Sequence, residues 1–170
     1  MGAPLDALAL LVLDVDGVLT DGTVIYGAGD EDVKAFHTRD GAGLALWRDA
    51  GLRTTFVTGR GGAGVRRRAR ELGIERIWEG VRDKSAAFEE ILRHFGLRAE
   101  QAAAMGDDVN DLAMLRRAGL SAAPADAAPD VRGAVQLVVP SRGGHGAVRD
   151  LVEHILRGSG RWEPLLERLR

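Results

Sequence analysis

The run LLVLDVDGVLTDG, residues 10–22, sets Asp14 and Asp16 one residue apart directly after an apolar segment, with Asp21 and two glycines close behind. Acids crowded at a strand tip are costly unless something positive sits among them, which points to a bound cation. Three other segments carry matching chemistry: VTGR with Thr58, Gly59 and Arg60, the isolated Lys84, and GDDVND with Asp107, Asp108, Asn110 and Asp111. Each part suits phosphoryl transfer. An aspartate can attack phosphorus and split one hard displacement into two easier ones. Mg²⁺ takes a few carboxylates plus phosphate and water, and would hold Asp14 against a phosphate of like charge. A second acid nearby can protonate the leaving alkoxide and then deprotonate the attacking water. Thr58 and Lys84 offer a hydrogen bond and a positive charge to the phosphoryl oxygens.

These groups need a scaffold that brings distant segments to one rim. Short apolar runs alternate with amphipathic stretches, the pattern of an α/β domain with a mostly parallel sheet. Strands are expected at Leu8–Leu13, Thr54–Val57, Ile77–Trp78, Ala102–Met105 and Val135–Val139. Phe88, Ile91, Leu92 and Phe95 mark one helix face, and Val148, Leu151, Val152 and Ile155 another. Gly51, Gly73 and Gly96 read as helix stops. Ligands of such sheets bind beyond the carboxyl ends of the strands, where the polar segments fall. Thr23–Phe36 breaks the alternation and reads as a β-hairpin around a Gly/Asp-rich turn. Residues 1–157 are expected to form one domain, with 158–170 a C-terminal tail carrying Trp162, Leu165, Leu166 and Leu169.

The chain of 170 residues has 45% hydrophobic residues and a net charge of −2, so it has material for one core and no general pull toward nucleic acid or anionic membranes. No apolar run is long enough to span a bilayer. The absence of cysteine excludes disulfides, thiolate zinc sites and thiol nucleophiles. No secretory signal is visible, and a cytoplasmic location is the expectation.

DVDGVLTDG, VTGR, Lys84 and GDDVND, in that order, resemble the four motifs of the haloacid dehalogenase superfamily of phosphatases. The resemblance implies a Rossmann-like three-layer α/β sandwich, with the small hairpin in place of a cap domain. It implies Asp14 as nucleophile and Asp16 as general acid/base. It implies Mg²⁺ held by the Asp14 side chain, the Asp16 main-chain carbonyl and Asp107, with Asp108 orienting Lys84 or a water on the metal. Neither gap between motifs has room for a cap. The hairpin, KAFHTRDGAG and GGHGAVRD resemble a narrower group, the 3-deoxy-D-manno-octulosonate 8-phosphate phosphatases, related to nine-carbon, sialic-acid-type 9-phosphate phosphatases and to the phosphatase-like module of acylneuraminate cytidylyltransferases. That implies a sugar-acid phosphate substrate and a pocket lined by His37, Thr38, Arg39, Asp40, Gly41, Arg60, Arg68 and Asn110. Asp16, Thr58, Gly59 and Lys84 would meet the same substrate. It also implies a homotetramer packed through the hairpins. Arg60 fits the octulosonate type. Ala45 stands where that type often has a basic residue, which keeps the nine-carbon alternative open.

Two other classes of function are less consistent with the sequence. A phospho-accepting receiver module wants its acceptor aspartate after the third strand, whereas here that strand runs into WEGVRDK and the richest acid cluster follows the fourth. A catalytically silent oligomerisation module would not need Asp14, Asp16, Lys84 and Asp107 together.

Overall fold

The computed structural model describes residues 4–28 and 32–168. Its centre is a sheet of six parallel strands: β1 (Leu10–Leu13), β4 (Arg53–Val57), β5 (Ile77–Trp78), β6 (Ala102–Met105), β7 (Leu120–Ala123) and β8 (Leu137–Val138), in the spatial order β5-β4-β1-β6-β7-β8. β1 is buried along its whole length and pairs on both sides, Leu13 lying opposite Phe56 of β4 and Met105 of β6. That explains its uninterrupted apolar sequence, because a central parallel strand is covered on both faces.

Helices cover the sheet in two layers. Leu11 and Leu13 face a core built with Leu44 and Trp47 of α1 (Thr38–Asp49), Val65 of α2 (Ala63–Glu71) and the Val148–Leu151–Val152–Ile155 stripe of α6 (Ala147–Gly158). Leu10 and Val12 face the opposite core, with Phe88, Ile91 and Phe95 of α3 (Lys84–Phe95), Met114 and Leu115 of α4 (Leu112–Leu115) and Val131 of α5 (Pro129–Ala134). The alternation along β1 is the strand period of two. The α/β three-layer architecture is therefore as expected. β5 and β6 have the expected bounds, β4 starts one residue earlier, β1 and β8 are shorter than expected, and β7 is an addition: its sequence LSAA lacks the branched and aromatic residues that mark a strand, yet all four residues are buried. In α7 (Trp162–Glu167), Trp162 and Leu165 join the first core, while Leu169 lies outside the described residues.

The hairpin forms, with two-residue strands β2 (Ile25–Tyr26) and β3 (Asp32–Val33) paired antiparallel; its turn, residues 29–31, lies outside the described residues.

One close approach ties the strand tips together. The GGHG segment, residues 143–146, lies against the turn that follows β1: Gly144 donates its N–H to the Val18 carbonyl at 2.9 Å, and a Cβ on Gly143 would sit 1.8 Å from the Gly17 carbonyl oxygen. Gly133 in α5 is the contrasting case, with nothing within 4 Å of a would-be Cβ. Gly143→Ala is therefore expected to destabilise by about 2 kcal/mol or more. Gly133→Ala should be neutral or stabilise by up to about 1 kcal/mol, because it restricts the unfolded chain without a clash. Urea denaturation of the two variants checks both.

Candidate active site

The tips of β1, β4 and β6 and the first turn of α3 converge on one open cleft of about 200 Å³, lined by Asp14, Asp16, Thr58, Gly59, Arg60, Lys84, Asp107, Asp108 and Asn110. Asp14 is fixed at the tip of β1, where its N–H donates to the Met105 carbonyl at 3.0 Å. Lys84 enters from α3, whose start is set by Asp83: that carboxylate accepts from the N–H groups of Ser85 and Ala86. The Lys84 ammonium is buried between two carboxylates, 2.7 Å from Asp14 Oδ1 and 2.5 Å from Asp111 Oδ1.

Asp111 is the residue sequence reasoning undervalued. It reads there as a cap or brace of the helix from Asn110, and Asp108 as the group that orients Lys84 or a water on the metal. The structure corrects this: Asp108 is exposed and caps the following turn at Val109, and Asp111, fully buried, grips Lys84. The other Asp111 oxygen accepts from the N–H groups of Asp107 and Asp108 at 3.0 and 3.3 Å, so it also shapes the loop that presents Asp107. A Cβ on Gly106 would fall 2.5 Å from the Asp111 side chain, which is why the motif begins with glycine.

Carboxylate oxygens of Asp14, Asp107 and Asp111 lie within 4.8 Å of one another. Three carboxylates against one ammonium leave two negative charges in a largely buried place. The electrostatics follow: burial, partly offset by Lys84 and reinforced by Asp111, pushes the Asp14 carboxyl up to about 6. Burial and the neighbouring Asp14 and Asp111 push Asp107 up to about 7. Burial alone would lower Lys84, but Asp14 and Asp111 outweigh it and raise its pKa above the ordinary lysine value. A hard divalent cation with oxygen ligands fits this donor set. Asp14 and Asp107 are the side chains free to hold it, since both Asp111 oxygens already accept hydrogen bonds.

The remaining expected residues divide. Thr58 is buried at the tip of β4; its hydroxyl donates to the Arg60 carbonyl at 2.7 Å and accepts from the Arg60 N–H at 3.1 Å, holding the TGR turn closed. Arg60 is exposed and pairs with Asp32 of the hairpin at 2.9 Å. His37, Thr38, Arg39, Asp40, Gly41 and Arg68 do not line the cleft within this chain. Asp40 is buried with its oxygens taken by the N–H groups of Gly146 and Arg149, so it caps α6 instead of facing a ligand. Gly41 is buried with the Arg68 guanidinium against it, and Arg68 lies over the Phe36 ring. His37 caps α1 and stands 6.2 Å, ring to ring, from His145. Ala45, half-buried within α1, is also away from the cleft. Sequence reasoning assigned no role to Lys34, which lies 2.5 Å from Asp16 Oδ1.

Comparison with known proteins places these features in company. A model of the haloacid dehalogenase-like hydrolases matches residues 76–151. The chain is 38% identical over 161 residues to the 3-deoxy-D-manno-octulosonate 8-phosphate phosphatase KdsC of Haemophilus influenzae, covering 95% of this chain and 89% of that protein. The cobalt-bound structure of the H. influenzae phosphatase superposes with a TM-score of 0.89 at 39% identity, covering 92% of each chain. The Moraxella catarrhalis phosphatase, solved with a magnesium ion, a phosphate ion and a KDO molecule, superposes with a TM-score of 0.94 at 33% identity, covering 98% of this chain and 96% of that one.

The raised carboxyls predict how stability varies with pH. Without metal, the folded chain keeps protons on Asp14 and Asp107 that the unfolded chain releases near the ordinary aspartate value. Stability therefore falls as pH rises from about 4 to about 7 and levels off above. Denaturant midpoints in chelator should decline between about pH 4 and pH 7. Saturating Mg²⁺, bound to the ionised carboxylates, should remove most of that decline.

Proposed function

The chain belongs to the 3-deoxy-D-manno-octulosonate 8-phosphate phosphatase family of haloacid dehalogenase-like hydrolases, and we propose that it cleaves 3-deoxy-D-manno-octulosonate 8-phosphate to the free sugar acid and phosphate. It is a phosphomonoesterase with Mg²⁺ as its cofactor. The observation that carries the reading is the convergence of Asp14, Asp16, Lys84 and Asp107 in one open cleft.

The Asp14 carboxylate attacks phosphorus: an Asp14–phosphorus bond forms, the phosphorus–oxygen bond to the sugar breaks, and the leaving oxygen takes the proton of Asp16. In the second half a water attacks the aspartyl-phosphate, gives its proton to Asp16, and releases inorganic phosphate with Asp14 restored. Asp14 and Asp107 would hold Mg²⁺, which would offset the like charge of the nucleophile and the phosphate. Lys84, locked by Asp14 and Asp111, presents a fixed positive charge to the phosphoryl group, so little reorganisation is needed at the moment of reaction. Thr58 keeps the TGR turn, and with it Gly59, at the rim.

The working form is a homotetramer joined through the hairpins. The bare apolar side chains on both faces of the hairpin support this: Val24 is 42% exposed, Ile25 45%, Tyr26 76% and Val33 51%. Two-residue strands with bare apolar side chains are marginal alone, and association covers them. It also brings protein over a cleft that is open in one chain, enclosing a small substrate away from water. The protein works in the cytoplasm; no helix among the described residues is long and apolar enough to cross a membrane.

Three results test this reading. With Mg²⁺, phosphate release from the octulosonate 8-phosphate should exceed that from nine-carbon, hexose and nucleotide phosphates by at least about tenfold in kcat/KM. Asp14→Asn should lower kcat by at least about a thousandfold, and near-normal turnover of the metal-saturated variant sinks the mechanism. Light scattering should give about four times the 18.2 kDa chain mass, falling toward that of one chain in Ile25→Glu/Val33→Glu. A fully active monomer refutes the assembly.

A further inference from the structure

The hairpin strand β3 and the residue after it alternate, with two side chains reaching residues that line the cleft. Asp32 pairs with Arg60 at 2.9 Å and Lys34 with Asp16 Oδ1 at 2.5 Å, while Val33 between them points outward. The Lys34 side chain is only 4% exposed, and among the described residues its one recorded acceptor is that Asp16 oxygen. Burying an ammonium against a single carboxylate is a poor way to stabilise a two-stranded ribbon, because desolvation offsets most of the attraction. The Arg60–Asp32 pair adds little, because its guanidinium is open to solvent, which screens the attraction. A docking role alone would be served as well by an apolar side chain, so the placement of this cation calls for another reason.

We infer that Lys34 is a positioning residue for Asp16. Its ammonium fixes the direction of the carboxylate that exchanges protons with the leaving oxygen and the attacking water, so proton exchange depends on the hairpin being docked. The inference rests on the reading of Asp16 as the acid/base. Asp16 sits at the first turn after β1, beside Gly17, and no hydrogen bond to its carboxylate other than that from Lys34 is recorded among the described residues. Without Lys34, no hydrogen bond from the described residues selects one orientation of that side chain over another, whereas Asp14 is held by Lys84 and Asp111 by three donors.

A double-mutant cycle tests this on the full, metal-saturated protein, with the octulosonate 8-phosphate as substrate. Lys34→Met should lower kcat about tenfold to a hundredfold and move KM and Mg²⁺ affinity by less than about threefold, since a misaimed acid slows chemistry without weakening binding. In the Asp16→Asn background the same change should lower kcat by less than about twofold, because the group it positions is gone. Lys34→Gln, which keeps a donor, runs in the same cycle and should fall between lysine and methionine, so the test stands even if Lys34→Met folds poorly. A rise in KM with kcat intact would assign Lys34 to substrate binding and overturn the inference. So would a kcat loss that persists in full alongside Asp16→Asn. If Asp16→Asn alone turns over normally, the acid/base reading itself fails, which distinguishes that failure from this one.

Discussion

Around Lys84, three carboxylates and one ammonium share a space in which little water is left to screen them. That unbalanced charge constrains everything near it. Asp111 is held by backbone N–H groups so that it cannot turn away from the lysine, and the lysine is held so that it cannot leave Asp14. What remains is an anionic gap between Asp14 and Asp107. The fold makes it tolerable by bringing Asp14 from the tip of β1 and Asp107 and Asp111 from the turn after β6, and by tying Asp111 to main-chain N–H groups. Preorganisation of this kind is the larger part of what a protein supplies to phosphoryl transfer, because the metal and the nucleophile do the bond making.

A second layer of the structure supports the first. The GGHG segment presses on the turn after β1, Asp40 reaches from α1 to cap α6 directly beyond that segment, and Asp126 accepts the Gly143 N–H at 2.9 Å. Asp40 is thus joined to the segment that buttresses the turn after Asp14. The division of labour is spatial: the sheet and its buttress hold the chemistry, and the hairpin, tied on by Asp32 and Lys34, forms one wall above it.

Much of this is legible in the sequence, for a physical reason. Groups at the ends of parallel strands are forced to one rim, so Asp14, Thr58, Lys84 and Asp107 can be placed together without coordinates. Side-chain direction is another matter. Asp108 and Asp111 both follow β6, and only the backbone path of that turn sends one to solvent and the other to Lys84. Asp40 reads as polar and available because nothing local reveals that the start of α6, more than a hundred residues on, will cover it. Lys34 is hidden for the same reason, since its partner belongs to a different element. β7 escapes notice because burial in a parallel sheet does not require large side chains where helices pack close.

The position of β1 has a consequence for how the molecule is made. The strand that bears Asp14 pairs with β4 and β6 and with nothing adjacent to it in the chain. β4 follows after one helical crossover, through α1, and β6 only after two more, through α2 and α3; closing such long loops is slow compared with forming a helix. A nascent chain that has not yet produced β6 has no partner for one edge of β1 and no Asp107 or Asp111 beside Asp14. Its aspartates stay hydrated and apart, and the electrostatic cluster comes into being only when β6 and the turn after it join β1. Order of synthesis thereby keeps a half-built anionic site from opposing collapse of the core.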